Sequence, residues 1–170
     1  APSNIVVNHD EWTTSNVGFN LAPDTTKFVQ NLASLFSEGQ TGSFLAYSHN
    51  VGLAGSALAD ALTSAGHSYV VDTGIAFTLE NLLAFDGVFL GEQQVDTEVL
   101  IEYVEAGGNV YLMGGTSVDS AAEAAAWAPF LNHFGLAFST IGNGIGGNVS
   151  IDSDHPLLDD GHRTGGLLLL

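Results

Sequence analysis

Short apolar runs alternate with amphipathic segments along most of this chain. Five apolar runs, each bounded by glycine or polar positions, predict buried strands. They are Ile5–Asn8, Ser43–Ser48, Ser68–Asp72, Gly87–Gly91 and Asn109–Met113. The segments between and after these runs predict helices, because their apolar residues recur at helical spacing or because alanine and leucine dominate. They are Lys27–Phe36, Leu53–Ala65, Thr78–Phe85, Thr97–Ala106 and Ser120–Phe134.

This alternation predicts the fold class. Strands separated by helices of about ten residues are typical of βαβ units, which build a parallel sheet with helices on both faces. Right-handed crossovers then favour a three-layer, doubly wound α/β architecture with a mainly parallel sheet, of the flavodoxin-like or Rossmann-like type.

Less regular segments complete the chain, which we interpret as one domain over residues 1–170. The polar residues 8–24 predict a loop, and Leu136–Ser139 predicts a sixth strand, at an edge of the sheet. From about residue 141, glycine and asparagine predict a turn-rich loop and an irregular C-terminal extension with one short strand, Asn148–Asp152. The leucines at 167–170 are either a last strand or the point where a longer chain was cut, and they are too few to span a bilayer.

Polar residues follow four of the predicted strands. A parallel sheet gathers the carboxyl ends of its strands at one edge, where ligands bind, so we predict a ligand-binding rim there. A later His-Pro turn contributes one more candidate. The candidate ligand-binding residues are His9, Asp10, Glu11, His49, Asn50, Glu92, Gly114, Gly115, Thr116 and His155.

A divalent metal is one candidate occupant of this rim. Imidazole nitrogen and carboxylate oxygen bind such ions, and ligands can converge from separate strand ends without a short spacing motif. The candidate metal ligands are His9, Asp10, His49 and Glu92. The simpler interpretation is that the histidines bond to loop backbone, the aspartate caps a turn and the last glutamate faces solvent.

The composition narrows the range of partners. Nineteen acidic residues against two basic ones give a formal net charge of −17. Such a field repels phosphate backbones and anionic lipid surfaces, so nucleic acid is not an expected partner. The acids are spread along a chain with 45% hydrophobic residues, which indicates an acidic shell around an ordinary core rather than disorder. A saline habitat would suit such a surface.

The absence of cysteine removes several classes of chemistry. No disulfide, thiolate nucleophile or cysteine-based zinc site can form. The chain begins at Ala1 without a methionine, which fits removal of a signal peptide and fits a trimmed chain equally well. We expect an exported protein, either secreted or in the cell envelope.

Three segments resemble the class I glutamine amidotransferase-like fold, closest to its trehalose-utilisation-type branch and related secreted bacterial domains. They read FDGVFL at 85–90, YVEAGGNVYL at 103–112 and DHPLL at 154–158. The family shows a strand that starts at an aspartate, a helix-to-strand unit with paired glycines, and a late His-Pro turn. The resemblance covers about residues 44–158, and it implies an amidotransferase-like fold.

The chain departs from that family at the position of the nucleophile. Catalytic members carry a cysteine on the turn after the strand that corresponds to Asn109–Met113, and here that turn begins with Gly114. The resemblance therefore implies a fold without glutaminase activity. Thr116 or Ser117 could replace the thiol only with a general base and an oxyanion hole, and no G-x-S-x-G elbow is present. A tight turn with Ser120 as helix N-cap is the simpler interpretation.

Parts of the sequence suit two further classes of ligand, phosphates and sugars. The glycine-containing loop 50–56 precedes a helix, where phosphate could bind, but it lacks the lysine and the glycine pattern of phosphate loops. Gly52 and Gly55 more simply allow close packing of helix on strand. Aromatic residues beside carboxylates suit sugar rings. For Tyr47, Tyr69 and Tyr111 filling of the core is the favoured role, whereas Trp12 lies in a loop with little apolar company.

Two functional hypotheses follow. The first is a non-catalytic, exported domain with a degenerate amidotransferase-like fold, which binds a small molecule, a glycan or a protein partner. The second is a metal-assisted hydrolase or small-molecule enzyme that uses the His/Asp/Glu residues of the rim.

Overall fold

The structure, a computed structural model, describes residues 2–142, 144, 146–151, 153–159 and 166–169. Its strands are β1 (Ile5–Asn8), β2 (Ser43–Ala46), β3 (Ser68–Val71), β4 (Gly87–Gly91), β5 (Asn109–Met113), β6 (Asn148–Ile151) and β7 (Gly166–Leu169). Its helices are α1 (Asn16–Leu21), α2 (Thr25–Phe36), α3 (Val51–Ala54), α4 (Ser56–Ser64), α5 (Leu79–Leu82), α6 (Thr97–Glu105) and α7 (Ser120–His133), followed by a 3-10 helix (Pro156–Leu158).

The five predicted strands are all present and form one parallel sheet. Its spatial order is β3-β2-β4-β5-β1, and β6 and β7 pair separately as an antiparallel ribbon. The chain runs outward from β2 to β3 and outward in the opposite direction from β4 to β5. This confirms the doubly wound α/β architecture and is consistent with a flavodoxin-like fold.

Side chains of the central strands alternate between two apolar layers, because successive residues of a strand point to opposite faces. Phe44 and Phe89 pack against α2 and α4 in one layer, whereas Leu45 and Val88 pack in the other layer, against α6 and α7. Every residue of β4 and β5 is buried. Continuous burial explains why both strands read as unbroken apolar runs rather than as alternating patterns.

Several sequence predictions about the first 140 residues were wrong. Leu136–Ser139 is not a strand in the structure: β1 is the edge strand of the sheet, and the segment instead buries Phe138 against the His9 ring. The predicted loop over residues 8–24 contains helix α1. This helix is only six residues long and leaves Leu21 exposed, so it carries little of the apolar periodicity by which helices are recognised.

Helix boundaries also differ in detail. The predicted helix Leu53–Ala65 begins at Val51 and is broken at Gly55 into α3 and α4. The N-cap of α7 is Asp119 rather than Ser120, and its carboxylate accepts a hydrogen bond from the Ala122 amide. Thr78 caps α5 as predicted, since its side-chain oxygen accepts a hydrogen bond from the Asn81 amide.

The C-terminal segment, where the structure describes it, contains the antiparallel ribbon of β6 and β7. β6 coincides with the predicted strand Asn148–Asp152 over its described residues, and the closing leucines form part of β7. The 3-10 helix packs on α2, where the side-chain amide of Asn31 donates hydrogen bonds to the carbonyls of Leu157 and Asp159 at 3.3 and 2.7 Å. Among the described residues, no helix is long and apolar enough to cross a membrane.

Candidate functional site

The crevice between β2 and β4 is where ligands bind in doubly wound sheets, because the chain leaves these two strands in opposite directions. Asn50 follows β2 and Glu92 follows β4, so both lie at the carboxyl ends of the two strands that border this crevice. The fold therefore places two of the predicted rim residues at its expected ligand position.

Asn50 joins two carboxylates at this point. Its side-chain nitrogen donates to Oε2 of Glu11 at 2.9 Å and to Oε2 of Glu92 at 3.2 Å. Its side-chain oxygen accepts from the Gly52 amide at 2.8 Å, so the amide group is held in one orientation. We call these three residues, Glu11, Asn50 and Glu92, the acid pair site. Asn50 is 9% exposed, whereas Glu92 is exposed.

Electrostatics makes the acid pair site unfavourable without a partner. Both carboxylate oxygens are hydrogen-bonded to one nitrogen, so they lie at most about 6 Å apart, where two unit charges repel by about 1 kcal/mol in a hydrated site. The ion pairs in the described part of the chain involve His9 and His133, and neither pair includes Glu11 or Glu92. Only Oε2 of each carboxylate takes part in the hydrogen bonds to Asn50.

The backbone of Glu92 is strained. Its φ is 62°, in the left-handed region that residues with a side chain rarely adopt. Strain of this kind persists only where the surrounding structure imposes it, and it concentrates at functional sites. The turn after β4 therefore aims a glutamate side chain at the crevice at a cost in backbone energy.

The loop after β1 carries Glu11 to this crevice. Asp10 organises the loop, since its carboxylate accepts from the amide and the hydroxyl of Thr13, both at 2.7 Å. The Thr14 hydroxyl donates to the Gly52 carbonyl at 2.6 Å and ties the loop to α3. A Cβ at Gly52 would lie 2.4 Å from the Glu11 carbonyl oxygen, so glycine is required for the approach.

Trp12 is the exposed aromatic residue next to Glu11. Its side chain is 48% exposed, although large apolar side chains are usually covered in a core. The three tyrosines considered beside Trp12 as sugar-facing residues have other surroundings. Tyr47, Tyr69 and Tyr111 are packed in or against the two apolar layers, in agreement with their predicted core role.

Burial also changes the acidity of two of these tyrosines. It raises the pKa of Tyr111 to about 12, and it raises the pKa of Tyr69 well above the usual value. The Tyr69 hydroxyl donates to the Leu53 carbonyl at 2.7 Å, and the Asn8 side-chain amide donates to the Tyr111 hydroxyl oxygen at 3.0 Å. Both hydroxyls hold the rim in place rather than facing a ligand.

The turn after β5 forms a second polar centre around Glu123, which sequence reasoning missed. The Glu123 carboxylate accepts from the amides of Gly115 and Thr116 at 2.9 and 3.0 Å and from the Thr116 hydroxyl at 2.5 Å. Nε2 of His9 lies 3.6 Å from the same carboxylate. The available signal was a glutamate in the first turn of the helix that follows a Gly-Gly-Thr turn.

Gly114 allows this centre to close. A Cβ there would lie 2.6 Å from the His9 ring and 2.7 Å from the Phe138 ring. These two rings stack with centroids 4.8 Å apart and an interplanar angle of 17°. Phe138, in the segment predicted to be a strand, is thus a buried cover over the turn.

The four candidate metal ligands have separate partners. His9 lies beside Glu123, Asp10 caps the turn at Thr13, and His49 Nε2 lies 3.0 Å from the Thr73 hydroxyl. Glu92 belongs to the acid pair site. Among the residues described, no three His, Asp or Glu side chains are grouped in a way that could hold a metal ion.

His155 has a local role. Its Nδ1 accepts from the Leu157 amide at 3.1 Å and caps the 3-10 helix that packs on α2. The structure therefore gives His155 a turn-forming contact.

The class of this molecule is thus a doubly wound α/β protein with two neighbouring carboxylates at its topological switch point. No known protein family, curated protein or solved structure gives a significant match to the chain.

Proposed function

We propose that this chain is a ligand-binding domain whose binding site is the acid pair site. The observation that carries the proposal is the position of Glu11, Asn50 and Glu92 in the crevice between β2 and β4, with Glu92 in a strained backbone conformation. Two carboxylates close together repel each other and weaken a fold. Their presence is explained if they have another role, and binding of a ligand is such a role.

The chemistry of the site favours a hydroxyl-rich ligand, such as a glycan fragment. The carboxylate oxygens that do not bond to Asn50 can accept hydrogen bonds from hydroxyl groups. Trp12, adjacent in sequence to Glu11 and exposed, offers an aromatic face on which a sugar ring can stack. The two features together are those expected of a sugar-binding crevice.

The turn after β5 supports a non-catalytic role. The Thr116 hydroxyl donates to a carboxylate that already accepts two backbone amides, so it is held as part of the turn. We extend the proposal to a degenerate amidotransferase-like domain of an exported protein. Gly114 at the expected nucleophile position, the lack of cysteine and the acidic composition support this extension.

A titration with soluble glycans tests the proposal. Amide signals of the labelled protein are followed by NMR while a panel of neutral mono- and oligosaccharides is added. We expect saturable shifts in the Glu11–Trp12 loop and around Asn50, and at least about a tenfold loss of affinity in Glu92→Gln, since one charged hydrogen bond contributes about 1.5 to 3 kcal/mol.

Glu38→Gln is the matched control, because Glu38 also has a positive φ of 52° but follows α2 and does not belong to the acid pair site. It should bind as the unchanged protein does. Shifts elsewhere in the molecule, or equal affinity in Glu92→Gln, would show that the acid pair site is not where these ligands bind.

A further inference from the structure

The donors around Glu123 converge in the manner of an anion-binding site. Consecutive amides, those of Gly115 and Thr116, point to the two oxygens of one carboxylate, and the Thr116 hydroxyl points to the same group. Successive N–H groups in a turn with a left-handed residue form a concave site for anions. Gly115 supplies that residue, with a φ of 74°. We call these three donors the anion cradle.

The carboxylate in the cradle is buried. Glu123 is 6% exposed, although a charged side chain in an alanine-rich helix could extend into solvent. A buried carboxylate is tolerated when several hydrogen bonds compensate for its lost hydration, and this one accepts three. The imidazole of His9, 3.6 Å away, is the neighbouring group that can add a positive charge.

We propose that the turn after β5 is an oxyanion-binding cradle, that Glu123 is its built-in ligand, and that a small carboxylate such as acetate binds there when the Glu123 carboxylate is removed. In the unchanged protein Glu123 closes this part of the rim to external anions. The cradle does not share a residue with the acid pair site, so this inference and the proposed function can fail independently.

Glu123→Ala tests the inference with acetate as the probe. The substitution removes one methylene and the carboxylate, and acetate supplies a methyl group and a carboxylate of the same size. We expect the thermal unfolding midpoint of the variant to fall. Sodium acetate at several times its Kd should then raise it by about 2 to 4 °C relative to sodium chloride of equal ionic strength.

The unchanged protein and Asp119→Ala serve as controls. Asp119 caps the same helix with a carboxylate, but it is exposed and does not fill a cradle. Neither protein should respond to acetate beyond the effect of chloride. An equal response of all three proteins, or no response of Glu123→Ala, would overturn the inference.

Glu123→Gln covers the case in which Glu123→Ala does not fold. Its amide keeps one acceptor oxygen and loses the charge, so the amide protons of Gly115 and Thr116 should move upfield in the NMR spectrum. Asp119→Asn should leave both signals in place. Unchanged Gly115 and Thr116 signals in Glu123→Gln would refute the role of Glu123 as the bound anion.

Discussion

Replacement of Glu92 by glycine should stabilise the protein. The left-handed backbone costs a residue with a side chain about 1 to 2 kcal/mol, and the larger entropy loss of glycine on folding offsets about 0.5 to 1 kcal/mol of that gain. The substitution also removes repulsion of about 1 kcal/mol from Glu11, since Glu92 is exposed to water, while Asn50 keeps Glu11 as a hydrogen-bond partner. We expect a net gain of about 1 to 2 kcal/mol, measured by urea unfolding at low ionic strength.

Glu38→Gly separates the two contributions, because Glu38 shares the positive φ but not the neighbouring carboxylate. Its free energy of unfolding should rise only by the backbone contribution. This rise should be about 1 kcal/mol smaller than the rise in Glu92→Gly. This difference should shrink in about 1 M salt, where the Debye length falls to about 3 Å. Two results would show that the carboxylates do not repel each other as the geometry requires. One is a loss of stability in Glu92→Gly, and the other is a stability difference between Glu92→Gly and Glu38→Gly that does not change with salt.

Three further outcomes are expected. Gly52→Ala should lower the free energy of unfolding in urea by about 1 to 3 kcal/mol, because its Cβ would lie 2.4 Å from a backbone oxygen. Gly142→Ala, with open space around the Cβ, should change this free energy by no more than about 0.5 kcal/mol. Equal losses in the two variants would contradict the required close approach. Asp96→Ala should lower the free energy of unfolding by about 1 kcal/mol, because the Asp96 carboxylate accepts hydrogen bonds from two amides at the start of α6. An unchanged urea midpoint would argue against this cap. Above pH 10 the unfolded chain loses tyrosine protons that Tyr69 and Tyr111 retain in the fold, so stability should be complete below pH 10 and fall as the pH rises towards 12. Most of the tyrosinate absorbance should then rise together with unfolding, and a rise equivalent to more than two of the four tyrosines before unfolding would show that these hydroxyls are not buried.

The order of helices and strands was predictable because it depends on local patterns. A continuous apolar run such as Asn109–Met113 is typical of a strand that is buried on both faces of a parallel sheet. The composition likewise excluded thiol chemistry without any structural information. Helix α1 escaped prediction because six residues with an exposed Leu21 leave no periodic signal.

The candidate site was only partly predictable. Sequence reasoning named Glu11, Asn50 and Glu92 as rim residues, since each follows a strand, but it grouped Glu92 with histidines that the fold places beside other partners. It missed Glu123, because a glutamate in the first turn of a helix does not by itself show that its side chain points back to a turn seven or eight positions earlier.

The sequence by itself determined the layers of this protein, its acidic composition and the set of polar residues at the strand ends. Only the tertiary structure decided which of these residues meet. The reason is that spatial strand order places β2 beside β4 and sends β1 to the far edge, and this order follows from packing across the whole sheet rather than from the pattern within any one segment.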